Sequence, residues 1–164
     1  IGDVFEVHLD SGVKGYAQYI ANDHTMLNTD VVRVFKRHYP LEFHPELNEI
    51  VNGEVEFYAH CVDVAYGVED NSWRLIGNCS EVGDLKAPFF RSYLDQPEVL
   101  PGYKQVPVKV AHMWRVWRIN EDMVEVGELQ GENIKADPGT GVWPKHIIAR
   151  MKTGKYPFHY ADYK

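Results

Sequence analysis

Apolar and polar residues alternate along the first part of the chain, and this alternation predicts β-strands. Phe5, Val7 and Leu9 alternate with polar neighbours, as expected for a strand that buries one face. Two further runs rich in β-branched and aromatic residues, 16–21 and 31–37, follow after short polar stretches. Three such segments in succession predict an antiparallel meander.

Turn residues and breaks in periodicity predict the elements that follow. Between residues 10 and 76 we expect, in chain order, a turn at 10–12, a short helix at 45–51 closed by Gly53, a strand at 54–64, a turn at 67–71 and a return strand at 73–76. Three prolines between residues 77 and 102 predict a long irregular connection. Strands at 106–119 and 123–129 are joined by a hairpin turn at 120–122.

A helix is predicted near the carboxyl end. Pro144 suits the first helical position, and Gly154 suits the position that ends a helix. Ile147 and Met151 lie on one stripe between them, and Val142 has the spacing from Ile147 of a hydrophobic staple. The elements together predict a mainly β (α+β) fold: a strongly curved antiparallel sheet or a partly open SH3-like barrel, with a C-terminal helix packed on it.

Composition supports one folded domain spanning residues 1–164. Of the 164 residues, 45% are hydrophobic and 25% are charged, which is ordinary for a globular protein and excludes disorder as the dominant state. No apolar run approaches the roughly 20 residues that a membrane span needs. The net charge of −7 argues against a nucleic-acid-binding protein, which needs a basic face to displace counterions. No membrane or nucleic-acid partner is therefore expected.

Motifs for catalysis or cofactor binding do not occur in the sequence. It has no GxSxG, P-loop or GxGxxG motif, and its eight histidines form neither HxH nor HExxH. His60 and Cys61 are neighbours in a predicted strand, so their side chains point to opposite faces. Glu54 and Glu56 fit a solvated strand face better than a catalytic pair. We predict no catalytic residues, no cofactor and no metal.

Two tryptophans in the predicted strand at 106–119 leave two interpretations open. Trp114 and Trp117 fall on opposite faces of a regular strand, and each has an arginine beside it. One of them could be an exposed anchor, because tryptophan and arginine are enriched at interface hot spots. The alternative, which we favour, is that both pack against other elements of the fold.

Charge is segregated along the chain. From Tyr39 to Trp73 there are eight acidic residues and no lysine or arginine, so this segment carries −8 and the rest of the chain +1. Such a segment is either a solvated acidic edge or a surface that attracts a basic partner. Seven of its residues are candidates for that surface: Glu42, Glu46, Glu49, Glu54, Glu56, Glu69 and Asp70.

The chain resembles the immunity protein 26 family of bacterial polymorphic-toxin systems. The resemblance rests on three segments with the sequences GDVFEV (2–7), GYAQYI (15–20) and VVRVF (31–35), and on later landmarks at Trp73, Ile76-Gly77 and 88–91. It covers most of the chain loosely, and no family pattern is placed at residues 39–53 or after Gly131.

The resemblance implies a non-enzymatic, cytoplasmic protein that binds and neutralises a cognate protein toxin, often a nuclease. We expect the acidic candidates to face a basic toxin surface. The competing hypothesis is a small-ligand-binding or hydrolytic β domain, with an aromatic pocket of a few hundred Å³. A module of a secreted or surface protein is a third possibility.

Overall fold

A computed structural model describes residues 1–10 and 12–163, and strands occupy 41% of the chain and helices 18%. The strands in this described part are β1 Asp3–Asp10, β2 Val13–Asp23, β3 Thr29–Phe35, β4 Tyr39–Pro40, β5 Val55–Cys61, β6 Trp73–Asn78, β7 Phe89–Tyr93, β8 Glu98–Leu100, β9 Lys104–Val106, β10 Trp114–Arg118, β11 Val124–Gly127, β12 Asp137–Pro138 and β13 Gly141–Val142. The α-helices are α1 Leu47–Val51, α2 Val64–Glu69 and α3 Pro144–Thr153. Short 3-10 turns span His24–Met26 and Gly131–Lys135.

The strands form three sheets, none of which closes into a barrel within the described residues. The first sheet has the order β13-β5-β3-β2-β1-β6, with β4 beside β2, and only the β13–β5 pairing is parallel. The second has the order β11-β10-β7-β12, and β8 and β9 form a separate hairpin. The mainly β class, the meander β1-β2-β3 and the C-terminal helix are confirmed. Ser11, in the predicted turn at 10–12, lies outside the described residues.

One face of the first sheet is covered by the C-terminal helix. Ile147 and Met151 of α3 are buried in the same cluster as Phe5 and Val7 of β1 and the ring of Trp73. The helix begins at Pro144 and has its C-cap at Gly154, as predicted. The predicted staple is present too, because Val142 and Ile147 are both fully buried in this cluster.

The opposite face of the first sheet is covered in two parts. Helix α1 packs Ile50 and Val51 against Tyr16 at one end. The second sheet packs Phe90 and Trp117 against β2 and β3 at the other end. The first sheet is therefore buried on both faces, whereas the alternation in β1 predicted a strand with one buried face.

Gly154 ends α3 in the left-handed region, with φ of 76°, and a Cβ built there meets no other atom. We expect Gly154→Ala to lower the free energy of unfolding by about 1 kcal/mol, because an L residue at positive φ is strained even where space is open. Urea unfolding of the two proteins measures the effect. Lys145→Ala, an exposed position in the same helix, should change stability by less than about 0.5 kcal/mol. Equal stability of G154A and the wild type would contradict this account of the helix end.

The predicted turn at 67–71 is wrong in part, because residues 64–69 form helix α2. The Asp63 side chain accepts hydrogen bonds from the amides of Ala65 and Tyr66 and so caps the helix. Gly67 is buried where Pro144 and Trp73 come close, a contact that leaves little room for a side chain. Its role is close packing, which the turn prediction did not anticipate.

Other predictions in the second half need correction. The connection predicted at 77–102 contains β7 and β8, and β7 is stabilised by pairing with β10 rather than by local sequence. The predicted strand at 106–119 is not continuous: Val106 ends β9, and Trp114–Arg118 forms β10. The return strand at 73–76 exists as β6, but it pairs with β1 and not with β5. Trp114 and Trp117 are both buried, so the exposed-anchor interpretation is wrong.

Candidate functional site

Glu6 is the centre of a charged cluster at the β1–β6 side of the first sheet. It lies on β1 and is only 3% exposed. Lys14 Nζ donates to its Oε2 at 2.8 Å, and Arg74 contributes a second ion pair at 2.8 Å to Oε1. His8 Nε2 lies 3.1 Å from the same Oε1. One buried carboxylate thus organises basic side chains from three strands.

Lys14 is fully buried, and each contact of its ammonium group is polar. Besides Glu6, its Nζ donates to the carbonyl oxygen of Leu41 at 2.9 Å and lies 3.2 Å from Nδ1 of His44. These contacts tie the loop before α1 to the middle of the first sheet. A buried ammonium needs such compensation, because burial of an unpaired charge costs several kcal/mol.

The ionisation of Glu6 follows from these contacts. Burial alone raises its pKa, but hydrogen bonds from Lys14 and His8 and the charge of Arg74 outweigh burial and lower the pKa below its usual value. Burial and the nearby carboxylate raise the pKa of Tyr16, whose hydroxyl donates to Glu6 at 3.4 Å. Glu6 is therefore the anion of the cluster, and Tyr16 stays neutral.

Two open clefts follow strand β6 beside this cluster. The His44 cleft, about 420 Å³, is lined by His44, Glu46, Leu47, Leu75 and Ile76. The Val68 cleft, about 430 Å³, is lined by His8, Val68, Asn71, Ser72 and Trp73. Glu6, Arg74 and Leu75 line both clefts, which makes them continuous along the strand.

A smaller cleft of about 270 Å³, the Tyr39 cleft, brings two of the acidic candidates together. Glu49 and Glu54 both line it, and each is paired with a basic neighbour. Arg37 lies 3.0 Å from Glu49, and Lys36 lies 2.8 Å from Glu54. Tyr16 lines this cleft as well as the His44 cleft, so the two are adjacent.

The remaining acidic candidates are distributed around these clefts and beyond them. All seven candidates are exposed. Glu46 lines the His44 cleft, whereas Glu69 and Asp70 end α2 between Val68 and Asn71 of the Val68 cleft. Five candidates form no ion pair with any described residue: Glu42, Glu46, Glu56, Glu69 and Asp70. Of the seven, Glu49 and Glu54 are the two that pair with a described basic side chain.

Glu56 lies apart from the other six candidates. It lines the Tyr58 cleft, about 400 Å³, between the first and second sheets, together with Tyr58, Phe89 and Arg118. Asp137 also lines this cleft and is bound to Arg150 at 2.6 Å. The volume and the aromatic lining match what the ligand-binding hypothesis requires, but the cleft is open to solvent.

A second buried carboxylate joins the two sheets. Asp23 is fully buried at the end of β2, and its Oδ2 accepts from His60 Nε2 at 2.8 Å and from Trp117 Nε1 at 3.0 Å. Its Oδ1 accepts from the amides of Thr25 and Asn120, both at 3.0 Å. Burial opposes ionisation of Asp23, but these donors outweigh it and lower the pKa to about 2. Because no part of Asp23 reaches solvent, it serves the fold.

The described residues give little support for a reactive cysteine or a metal site. Cys61 is buried, and burial raises the pKa of its thiol to about 12, so the reactive thiolate is suppressed. His60 and Cys61 lie in different clusters on opposite faces of β5, as predicted. Within residues 1–10 and 12–163, no three His, Cys, Asp or Glu side chains converge as a metal site. Among the helices of this range, none has the length and apolar character of a membrane span.

Several of the acidic candidates lie around the clefts, but the sequence analysis did not predict the Glu6 cluster beside them. Glu6 reads as an outward-facing strand residue, because alternation does not show that a second layer covers the face, and Lys14 precedes the predicted strand at 16–21. Arg74 and Leu75 belong to the predicted return strand at 73–76, which gives no reason to place them beside Glu6. The available signal is charge: Glu6 and Lys14 carry opposite charges on the two sides of the predicted turn at 10–12.

The fold and its surface define a mainly β protein with open, charged clefts around one buried carboxylate. A family model described as Immunity protein 26 matches residues 1–96, more than half of the chain. The chain belongs to the immunity protein 26 family, and membership supports an immunity-protein role in general. The match spans residues 39–53, where the sequence analysis placed no family pattern, and it ends before β8.

The other comparisons add no relatives. No curated protein matches the chain, and no solved structure matches it. The matched residues 1–96 hold 16 acidic and seven basic side chains, a net charge of −9, and the other residues carry +2. The net negative charge of the chain therefore comes from the matched part.

Proposed function

We propose that this protein neutralises a cognate bacterial toxin by binding it through the acidic surface of residues 42–70. In this proposal the partner presents a basic surface, as a nuclease does to bind its phosphate substrate. The protein acts without catalysis, in the cytoplasm, and needs no cofactor, nucleic acid or membrane. Occupying a basic surface with carboxylates blocks it and speeds the encounter through complementary fields.

The observation that carries the proposal is the exposure of uncompensated carboxylates on a family member. All seven candidates are exposed, and five of them form no ion pair with any described residue: Glu42, Glu46, Glu56, Glu69 and Asp70. Exposed unpaired carboxylates contribute little to stability, so their concentration in one segment is better explained by an external partner than by folding. The Tyr39 and His44 clefts place apolar surface among these charges, as a binding surface requires.

Charge reversal of three unpaired carboxylates tests this surface. We expect the triple variant Glu42→Lys, Glu46→Lys and Glu69→Lys to slow association with the toxin domain encoded by the neighbouring open reading frame at least tenfold at low salt. The salt dependence of association should flatten, because steering by charges is screened within about 8 Å at physiological ionic strength. Stopped-flow association rates at several salt concentrations provide the measurement.

A matched control keeps the same change of net charge at another place. Glu121, Asp122 and Glu125 are also exposed, and they lie in a second acidic stretch, residues 119–134, which has no lysine or arginine. Their reversal to lysine should change the association rate much less than reversal of the candidates. If both triple variants slow association equally, net charge rather than this surface is responsible. If the wild-type chain fails to bind the toxin domain, the proposed function is wrong.

A further inference from the structure

Strand β6 is a free edge of the first sheet. It pairs with β1 on one side, and no backbone–backbone hydrogen bond within the described residues reaches it from the other side. The register shifts between Leu75 and Gly77, and such a bulge can redirect a side chain. Leu75 is 50% exposed although its cross-strand partner Phe5 is buried. The edge thus offers unpaired backbone groups together with an apolar side chain.

The two clefts along β6 give this edge side-chain pockets. The Val68 cleft runs from Ser72 to Leu75, and the His44 cleft continues from Arg74 to Ile76. A segment added to a sheet edge gains affinity from backbone hydrogen bonds and specificity from pockets that receive its side chains. The clefts have volumes of about 430 and 420 Å³, which is ample for single side chains.

The charges near strand β6 indicate which kind of segment can pair with it. Glu46 lines the His44 cleft. Glu69 and Asp70 lie in the chain between Val68 and Asn71, which line the Val68 cleft. Arg74 adds little free positive charge, because Glu6 holds it at 2.8 Å. An incoming segment therefore meets unpaired carboxylates near both ends of the strand. A second copy of this chain, pairing edge to edge, would bring its own carboxylates against these and be repelled.

We propose that β6 is extended by a strand of the toxin, an extended segment that carries lysine or arginine beside aliphatic residues. This inference rests on the proposed function and specifies how the toxin is held. The aliphatic residues of the segment contact Leu75 and Val68, and its basic residues reach Glu46 and Glu69. Backbone pairing along β6 fixes the register of the complex.

Hydrogen exchange of the complex with the toxin domain from the neighbouring open reading frame tests the strand directly. We expect peptides covering Trp73–Asn78 to exchange at least tenfold more slowly in the complex than in the free chain. Strand β11, Val124–Gly127, is an edge strand of the second sheet, and its exchange should not change. A wild-type complex in which residues 73–78 exchange as fast as in the free chain would overturn the inference and leave the proposed function intact.

Side-chain variants at the two edges provide a second readout. Leu75→Lys should weaken binding at least tenfold, because it removes the apolar contact and repels a basic segment. Val124→Lys, at a position 58% exposed on β11, should change the dissociation constant less than twofold. Equal affinity of L75K and the wild type overturns the inference. A dimer of the free chain that protects residues 73–78 also overturns it, because the occupant is then a second copy. Without any binding by the wild-type chain, the proposed function fails and this inference fails with it.

Discussion

Asp23→Asn should lower the free energy of unfolding by about 2–4 kcal/mol, because each buried donor that loses its acceptor costs roughly 1–3 kcal/mol. All four groups that contact the Asp23 carboxylate are donors, from His60, Trp117, Thr25 and Asn120. An amide in its place turns an NH₂ group toward donors and leaves some of them without an acceptor. Urea unfolding at pH 7 measures the loss.

The matched control for this variant is Asp122→Asn, at an exposed position close to Asn120 in the β10–β11 turn. It should change the free energy of unfolding by less than about 0.5 kcal/mol. A D23N protein as stable as D122N would show that the two sheets do not depend on this carboxylate.

Lowering the pH should reduce the difference in free energy of unfolding between the wild type and D23N. The pKa of Asp23 is lowered in the folded state from 3.8 to about 2, so its ionisation stabilises the fold above the unfolded-state pKa. This contribution, about 2 kcal/mol, is lost as the pH falls from about 4 through 2. D23N has no carboxyl group at this position, so protonation there cannot lower its stability. An equal loss of unfolding free energy in both proteins between pH 5 and pH 2 would contradict the lowered pKa of Asp23.

The second large effect concerns the buried pair of Glu6 and Lys14. Glu6→Leu should lower the free energy of unfolding by about 3–5 kcal/mol, because it leaves the buried Lys14 ammonium without a carboxylate. Lys14→Met should cost less, because Arg74 still pairs with Glu6. The double variant should cost less than the sum of the two by about 1–3 kcal/mol, since it leaves neither charge behind. Urea unfolding of the four proteins completes the cycle.

A surface pair with the same geometry is the control for this cycle. Lys36 and Glu54 are also 2.8 Å apart, but their side chains are 59% and 70% exposed. The corresponding variants Lys36→Met and Glu54→Leu should show a much smaller coupling, because solvent screens an exposed pair. If both pairs show the same coupling, burial of Glu6 and Lys14 has no special importance.

Local signals in the sequence were sufficient for the elements that local rules determine. Alternation identified β1, β2 and β3, whose pairing follows chain order. Pro144 and Gly154 marked both ends of α3 because cap preferences depend on the immediate backbone. Helix α2 was not predicted by these rules. Its internal Gly67 indicates a turn unless the close approach of Pro144 is known.

Long-range pairing is what the sequence did not reveal. Strand β7 is extended because β10 pairs with it, and β6 lies at the edge because it returns to β1. Asp23 belongs to a polar stretch that was taken for a connection, yet it is fully buried by residues up to 97 positions away. For the candidate site, composition correctly indicated exposed carboxylates in residues 42–70. The strand edge between them depends on the tertiary fold.

The packing of α3 against β1 has a consequence for synthesis. Strand β1 leaves the ribosome before the rest of this sheet, and it buries Phe5 and Val7 against Ile147 and Met151, which are made last among the buried residues of that cluster. At about 5–20 residues per second, roughly 7–30 s separate the two ends of this contact. During that interval the nascent sheet exposes an apolar face that α3 covers in the folded protein. We therefore expect this face to need protection by chaperones until α3 has been synthesised.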